Sequence, residues 1–114
     1  MANATTEQVM QHHEAALLSG NLDELAKDYT EDSVLITPIE TYKGQESIKA
    51  AFAAMMSTLT PEALANFKVT KQDTQGEYVY LLWTAAPTFP FAGDTFHIHN
   101  GKIMMQSVVF ASGQ

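Results

Sequence analysis

The sequence predicts an α+β fold, with helices in the first half of the chain and a mostly antiparallel sheet in the second. Three observations predict it. Apolar residues recur at helical spacing as far as about residue 59, beginning with Val9, Met10, His13, Ala16 and Leu17 on one stripe of a first helix. The period then changes: Phe67-Lys68-Val69-Thr70-Lys71 alternates, and residues 78–86 are rich in aromatic and β-branched or aliphatic side chains. Lastly, Asn100-Gly101 is a strong two-residue hairpin signal, joining strands expected at 95–99 and 103–110.

Each element has a local reason. Thr5 or Thr6 caps the first helix, which runs to about residue 19, and Gly20 suits the left-handed residue that ends it. Asn21 caps a second, shorter helix with Glu24 at its N3 position, and places Leu22, Leu25, Ala26 and Tyr29 on its inner side. This helix stops at Thr30-Glu31-Asp32-Ser33. Val34-Leu35-Ile36-Thr37, closed by Pro38, is a short strand, and residues 40–43 can pair with it before Gly44. A third helix covers about 45–59, with Ile48, Phe52, Met55, Met56 and Leu59 at helical spacing, and Pro61 ends it. Gln75-Gly76 makes a turn, and residues 87–90, with their two prolines, interrupt the strands.

The 114 residues are read as one domain, 1–114, of globular composition: 46% hydrophobic and 17% charged. A net charge of −7 argues against nucleic acid and anionic membranes, which need a basic patch. Without cysteine there is no disulfide, thiol nucleophile or zinc-thiolate site. The N-terminus lacks a basic region followed by an apolar one, and no apolar run approaches the ~18 residues of a membrane span, so a cytoplasmic protein is expected. A glycine-rich phosphate loop, a G-x-S-x-G elbow and H-E-x-x-H are all absent, and no cofactor is expected.

The order of elements and several local motifs resemble one family. Ser19-Gly20-Asn21-Leu22-Asp23, Tyr29-Thr30-Glu31-Asp32-Ser33-Val34 leading to Pro38, and Tyr42-Lys43-Gly44-Gln45-Glu46-Ser47-Ile48 carry the likeness, with Asp94-Thr95-Phe96 and Asn100-Gly101-Lys102-Ile103. The chain resembles the nuclear transport factor 2-like superfamily, in particular its SnoaL-like branch of polyketide cyclases related to ketosteroid isomerases. The resemblance implies a cone: a strongly curved sheet closed by three helices, a deep apolar pocket, and a homodimer through the sheet. Alternating apolar residues on both sides of the last strand, Met105 and Val109 against Met104, Val108 and Phe110, agree with a dimer. The fold does not fix the function, because the same cone hosts isomerases, cyclases, hydrolases and non-catalytic binders.

Matched to the ketosteroid isomerase pattern, the oxyanion tyrosine of the first helix falls on His13, the general-base aspartate on Thr37, and the second oxyanion donor on Asp94. Threonine cannot abstract a carbon-bound proton at neutral pH, so the steroid-isomerase reaction as such is not expected. His13 and Asp94 remain as the candidate catalytic residues. His13 lies in the middle of a core stripe, where an unpaired polar ring costs roughly 1–3 kcal/mol, so it needs a partner or a cavity. The pair has two settings: a neutral Asp94 donating to an enolate oxygen, or an ion pair of ionised Asp94 with protonated His13. A purely structural hydrogen bond between them closing the cone's floor is the third possibility. The expected pocket wall is Leu17, Tyr29, Thr37, Phe52, Met55, Met56, Trp83 and Phe96, with Tyr29 and Trp83 offering polar tips to orient a ligand.

His97 and His99 share one strand face, opposite Asp94, Phe96 and Ile98, and are placed on the outer surface; no metal site is expected there, nor at His12 and His13, which diverge on the helix. Asp28, Glu31 and Asp32 are read as a solvated acidic patch. Two function classes stay open. One is a cofactor-free cyclase or isomerase acting on a small, largely apolar carbonyl compound. The other is a non-catalytic ligand-binding or dimeric interaction module with the same fold.

Overall fold

In the computed structural model, which describes residues 4–111, the N-terminal caps form as the local signals require. Helix α1 (Thr6–Ser19) opens on a capping box: the Gln8 amide donates to the Thr5 hydroxyl, and the Thr5 backbone N–H donates to Gln8 Oε1. It closes at Gly20, whose φ of 71° is left-handed and returns its N–H to the Ala16 and Leu17 carbonyls. Helix α2 (Leu22–Ala26) starts at Asn21, whose side chain accepts from the Glu24 amide. Of the single-domain span 1–114, residues 1–3 and 112–114 lie outside the described residues, and part of the leader reading falls on them.

Tyr29 is not on α2. It is the first residue of strand β1 (Tyr29–Ile36), which begins well before the expected Val34. The reason is tertiary: the Asp28 carboxylate is held by His12 of α1, and the Asp28 carbonyl accepts from the Ile103 amide at 2.7 Å. These contacts draw the chain away from the helix axis and into the sheet. Asp28 is therefore buried and does not belong to a solvated acidic patch.

Strand β2 (Thr41–Lys43) pairs antiparallel with β1, and helix α3 (Gln45–Met56) stops short of Leu59. Pro61 opens a further short helix, α4 (Pro61–Ala65), capped by the Thr60 hydroxyl. Proline is suited to a first turn, where its missing N–H has no partner to lose. Among the described residues there are thus four helices where three were expected.

The remaining strands are β3 (Lys68–Gln75), β4 (Tyr78–Ala85), β5 (Phe89–His99) and β6 (Lys102–Ala111). The β5–β6 turn is the expected hairpin, with Asn100 at φ 52° and Gly101 at φ 77°. Strand β5 starts earlier than the expected residue 95 and contains Pro90. Its pairing with β4 shifts register between Trp83–Ala92 and Ala85–Phe89, and a missing N–H is tolerated at such a bulge.

The sheet order is β2-β1-β6-β5-β4-β3, parallel only between β1 and β6. Register shifts interrupt the β1–β6, β3–β4, β4–β5 and β5–β6 ladders, and such bulges bend strands and increase twist. At the β1 shift, fully buried Ser33 stands in for the ladder: its hydroxyl donates to the Ile103 carbonyl at 2.6 Å and accepts from the Thr30 amide at 2.8 Å. Helices α1 and α3 pack on the sheet, and Met10, Ile48 and Phe52 meet Val79, Phe96 and Ile103 in the core. No helix among the described residues is long and apolar enough to cross a membrane.

Candidate functional site

Between the helices and the curved sheet lies a cavity of about 440 Å³. α1 lends it His13, Glu14 and Leu17, and α3 lends Phe52 and Met55. The sheet contributes residues of five strands, among them Leu35, Tyr42, Trp83, Asp94, Phe96 and Gln106. Alternation along β5 puts Asp94, Phe96 and Ile98 on this face and turns His97 and His99 away, as the sequence parity predicts.

Asp94 is 6% exposed and holds two neutral donors. Trp83 Nε1 donates to Oδ1 and Gln106 Nε2 to Oδ2, both at 2.7 Å. The Gln106 amide is oriented in turn by Tyr29, whose hydroxyl donates to Gln106 Oε1. Burial pushes the Asp94 carboxyl up from 3.8 to about 6, against the two hydrogen bonds, which lower it. At pH 7 it is mostly ionised, and close enough to neutrality to exchange a proton.

His13 is buried and meets the edges of three rings: Phe96 at 5.3 Å, Phe52 at 5.9 Å and Tyr29 at 6.3 Å between centroids. Its Nδ1 has no hydrogen-bond partner among the described residues. Desolvation, with the nearby His12 charge as a smaller cause, lowers its pKa to about 4, so the imidazole is neutral at pH 7. No hydrogen bond or ion pair joins His13 to Asp94 among the described residues, which removes both the ion pair and the structural clasp. The physical reason is that Trp83 and Gln106 occupy the carboxylate, while the ring is enclosed by apolar edges that favour its neutral form.

Of the expected wall, Leu17, Thr37, Phe52, Met55, Trp83 and Phe96 line the cavity. Tyr29 and Met56 do not. Tyr29 stands one step behind the wall, acting on it through Gln106, and Met56 lines a small separate void beside Leu18 and Leu64. Thr37 is spent in a turn, where its hydroxyl donates to the Glu40 carbonyl and accepts from the Ile39 and Glu40 amides.

Gln106 and Glu14 are among the polar lining residues that the sequence reading missed, with Tyr42, Thr58 and Thr88. Gln106 shares strand parity with Val108 and Phe110, and a polar residue in that inward row was the available signal. On the outer face, His97 and His99 both bond to Glu77, at 3.0 and 2.8 Å. Among the described residues no group of three potential ligands could hold a metal ion.

The family model described as the SnoaL-like domain matches residues 9–107. Solved structures of the same shape include an NTF2-like protein of unknown function from Cytophaga hutchinsonii, 19% identical over 96% of this chain and 93% of that one, with a TM-score of 0.74. A Shewanella denitrificans protein provisionally described as a SnoaL-like polyketide cyclase is 15% identical, covering 93% and 90%, with a TM-score of 0.73. A Kribbella flavida protein provisionally described as a ketosteroid isomerase is 13% identical, covering 96% and 79%, with a TM-score of 0.72. At these identities the likeness establishes the fold. No curated protein matches the chain.

Proposed function

The chain belongs to the SnoaL-like domain family, and on that premise we propose that its cavity takes a small, largely apolar carbonyl compound and isomerises or cyclises it without a cofactor. The observation that carries this reading is the setting of Asp94: a buried carboxylate, titrating at about 6, fixed by Trp83 and Gln106 on an apolar wall. Such a group takes a proton from the carbon beside a carbonyl and returns it elsewhere on the molecule, its pKa lying near the working pH. His13, neutral and on the same wall, supplies a hydrogen bond to the carbonyl oxygen as the enolate forms. Tyr29 holds Gln106, and so the carboxylate, in position.

Thr37 favours a second reading. The base position of the ketosteroid isomerase pattern is a turn-forming hydroxyl here, as a non-catalytic ligand-binding module would allow. Proton exchange separates the two. Incubated in D2O with cyclohexyl methyl ketone and related apolar ketones, the protein is expected to speed deuterium entry at the α-carbon, followed by proton NMR. Asp94→Asn is expected to lower that rate by about 10²-fold or more. Ketone binding with no exchange above buffer would establish the binding module and overturn the catalytic reading.

The oligomer proposed with this function is a homodimer through the outer face of the sheet, where Tyr78, Tyr80, Phe91 and Val109 are exposed.

A further inference from the structure

Among the described residues, the cavity carries negative charge and no counter-charge. Asp94 receives hydrogen bonds only from neutral groups, the Trp83 indole and the Gln106 amide. Glu14, the other carboxylate on the wall, is half-buried on α1, and burial raises its pKa. Neither carboxylate joins an ion pair among the described residues. The wall includes no lysine or arginine, and His13 is held neutral. Buried charges are ordinarily paired, because an unpaired one is costly in an apolar setting.

The rest of the wall points the same way. Tyr42, Phe52, Phe67, Trp83, Phe89 and Phe96 surround the space, and the face of an aromatic ring attracts a cation. The chain as a whole carries a net charge of −7, which draws cations and repels anions over longer range.

We propose that the cavity is a selective site for apolar ammonium ions, molecules with a hydrocarbon body and one protonated nitrogen, which pair with Asp94 among the aromatic rings. This goes beyond the carbonyl reading and is independent of it. An ammonium ion on Asp94 blocks the carboxylate as a base, so such an amine competes with a carbonyl compound for the same space.

Trp83 is the only tryptophan of the chain, and its Nε1 bonds to Asp94, so its fluorescence reports the site directly. The test titrates the whole protein at pH 7.5 with three ligands of similar shape, checked by calorimetry. These are protonated N,N-dimethylcyclohexylamine, cyclohexyl methyl ketone and cyclohexanecarboxylate. The amine is expected to bind about ten-fold or more tighter than the ketone, and the carboxylate more weakly than either. In Asp94→Asn the amine and the ketone are expected to bind within about two-fold of each other. A wild-type protein that binds the amine no tighter than the ketone, or binds neither, overturns the proposal. So does a preference for the amine that persists in folded Asp94→Asn.

If Asp94→Asn does not fold, the wild-type protein still decides the question. At pH 6, amine binding is expected to release protons as Asp94 becomes fully ionised, read by calorimetry in buffers of different ionisation heat. Binding without proton release overturns the assignment to Asp94. Ketone exchange together with a silent amine sinks this inference and leaves the carbonyl reading standing. Tight amine binding with no ketone exchange does the reverse.

Discussion

Replacing Asp94 with asparagine removes a charge from the cavity wall while keeping the shape of the side chain, and the pH dependence of stability shows what that charge does. The carboxyl titrates at about 6 in the fold against 3.8 in the free side chain, raised chiefly by burial. The folded state therefore holds this proton more tightly than the unfolded one. Below 3.8 the group costs nothing; the cost grows as pH rises and is complete above about 6. A shift of roughly two units corresponds to about 3 kcal/mol at pH 8, with about half present by pH 5.

His13 acts with the opposite sign. Its pKa falls from 6.5 to about 4 on burial, so its contribution is intact above 6.5 and lost as pH falls through about 4. Over the same window the two slopes oppose each other, and in the intact protein this pair largely cancels. Asp94→Asn leaves the His13 slope exposed. Urea unfolding from pH 3.5 to 8 is the assay, with the m-value checked for constancy. The stability of the variant minus that of the parent is expected to climb by about 2–3 kcal/mol across that range. The asparagine also faces the Gln106 amide with an amide of its own, but that loss is an offset at every pH and does not alter the climb. A difference that stays level, or falls with pH, would refute the assignment of a raised pKa to Asp94.

Other substitutions address the supports of the site and the surface. His12 bridges Glu24 and Asp28, which raise its pKa, so its contribution is full below 6.5 and lost as pH rises through the folded value. Being partly exposed and screened, His12→Ala is expected to cost only about 1 kcal/mol at pH 6 and less at pH 9, measured by the same unfolding. Tyr29→Phe strips buried Gln106 Oε1 of its donor and is expected to cost about 1–3 kcal/mol. It also frees the Gln106 amide to turn, so carbon NMR should place the Asp94 pKa higher; an unmoved value would remove Tyr29 from the positioning chain. On the outer face, the parent is expected to be a dimer by light scattering at micromolar concentration, and Val109→Lys a folded monomer. A monomeric parent would sink the dimer.

Much of the architecture was legible because its causes are local. Thr5, Gly20 and Asn21 act on neighbours three or four residues away, and Asn100-Gly101 needs only its own backbone preference. Strand parity likewise placed Asp94 and Phe96 inward and His97 and His99 outward. The errors fell where distant residues decide. Tyr29 left the helix pattern because His12 and Ile103 hold Asp28; the Pro61 helix is the exception, its Thr60 cap being a local signal that the reading passed over. Pro90 entered a strand where the β4–β5 register shifts, a bulge that tolerates a missing N–H.

The sequence by itself determined the α+β class, the family likeness, an inward acid at Asp94 and a histidine on a core stripe. Only the tertiary structure decided their chemical states. A pKa depends on which atoms exclude water and which donors arrive from other strands; here these are Trp83, eleven residues away in the chain, and Gln106, twelve residues away. Those contacts, together with the ring edges around His13, turned an expected pair into two separate groups, a mostly ionised carboxylate and a neutral imidazole. No periodicity in the chain encodes that outcome, because desolvation is a property of the folded surroundings.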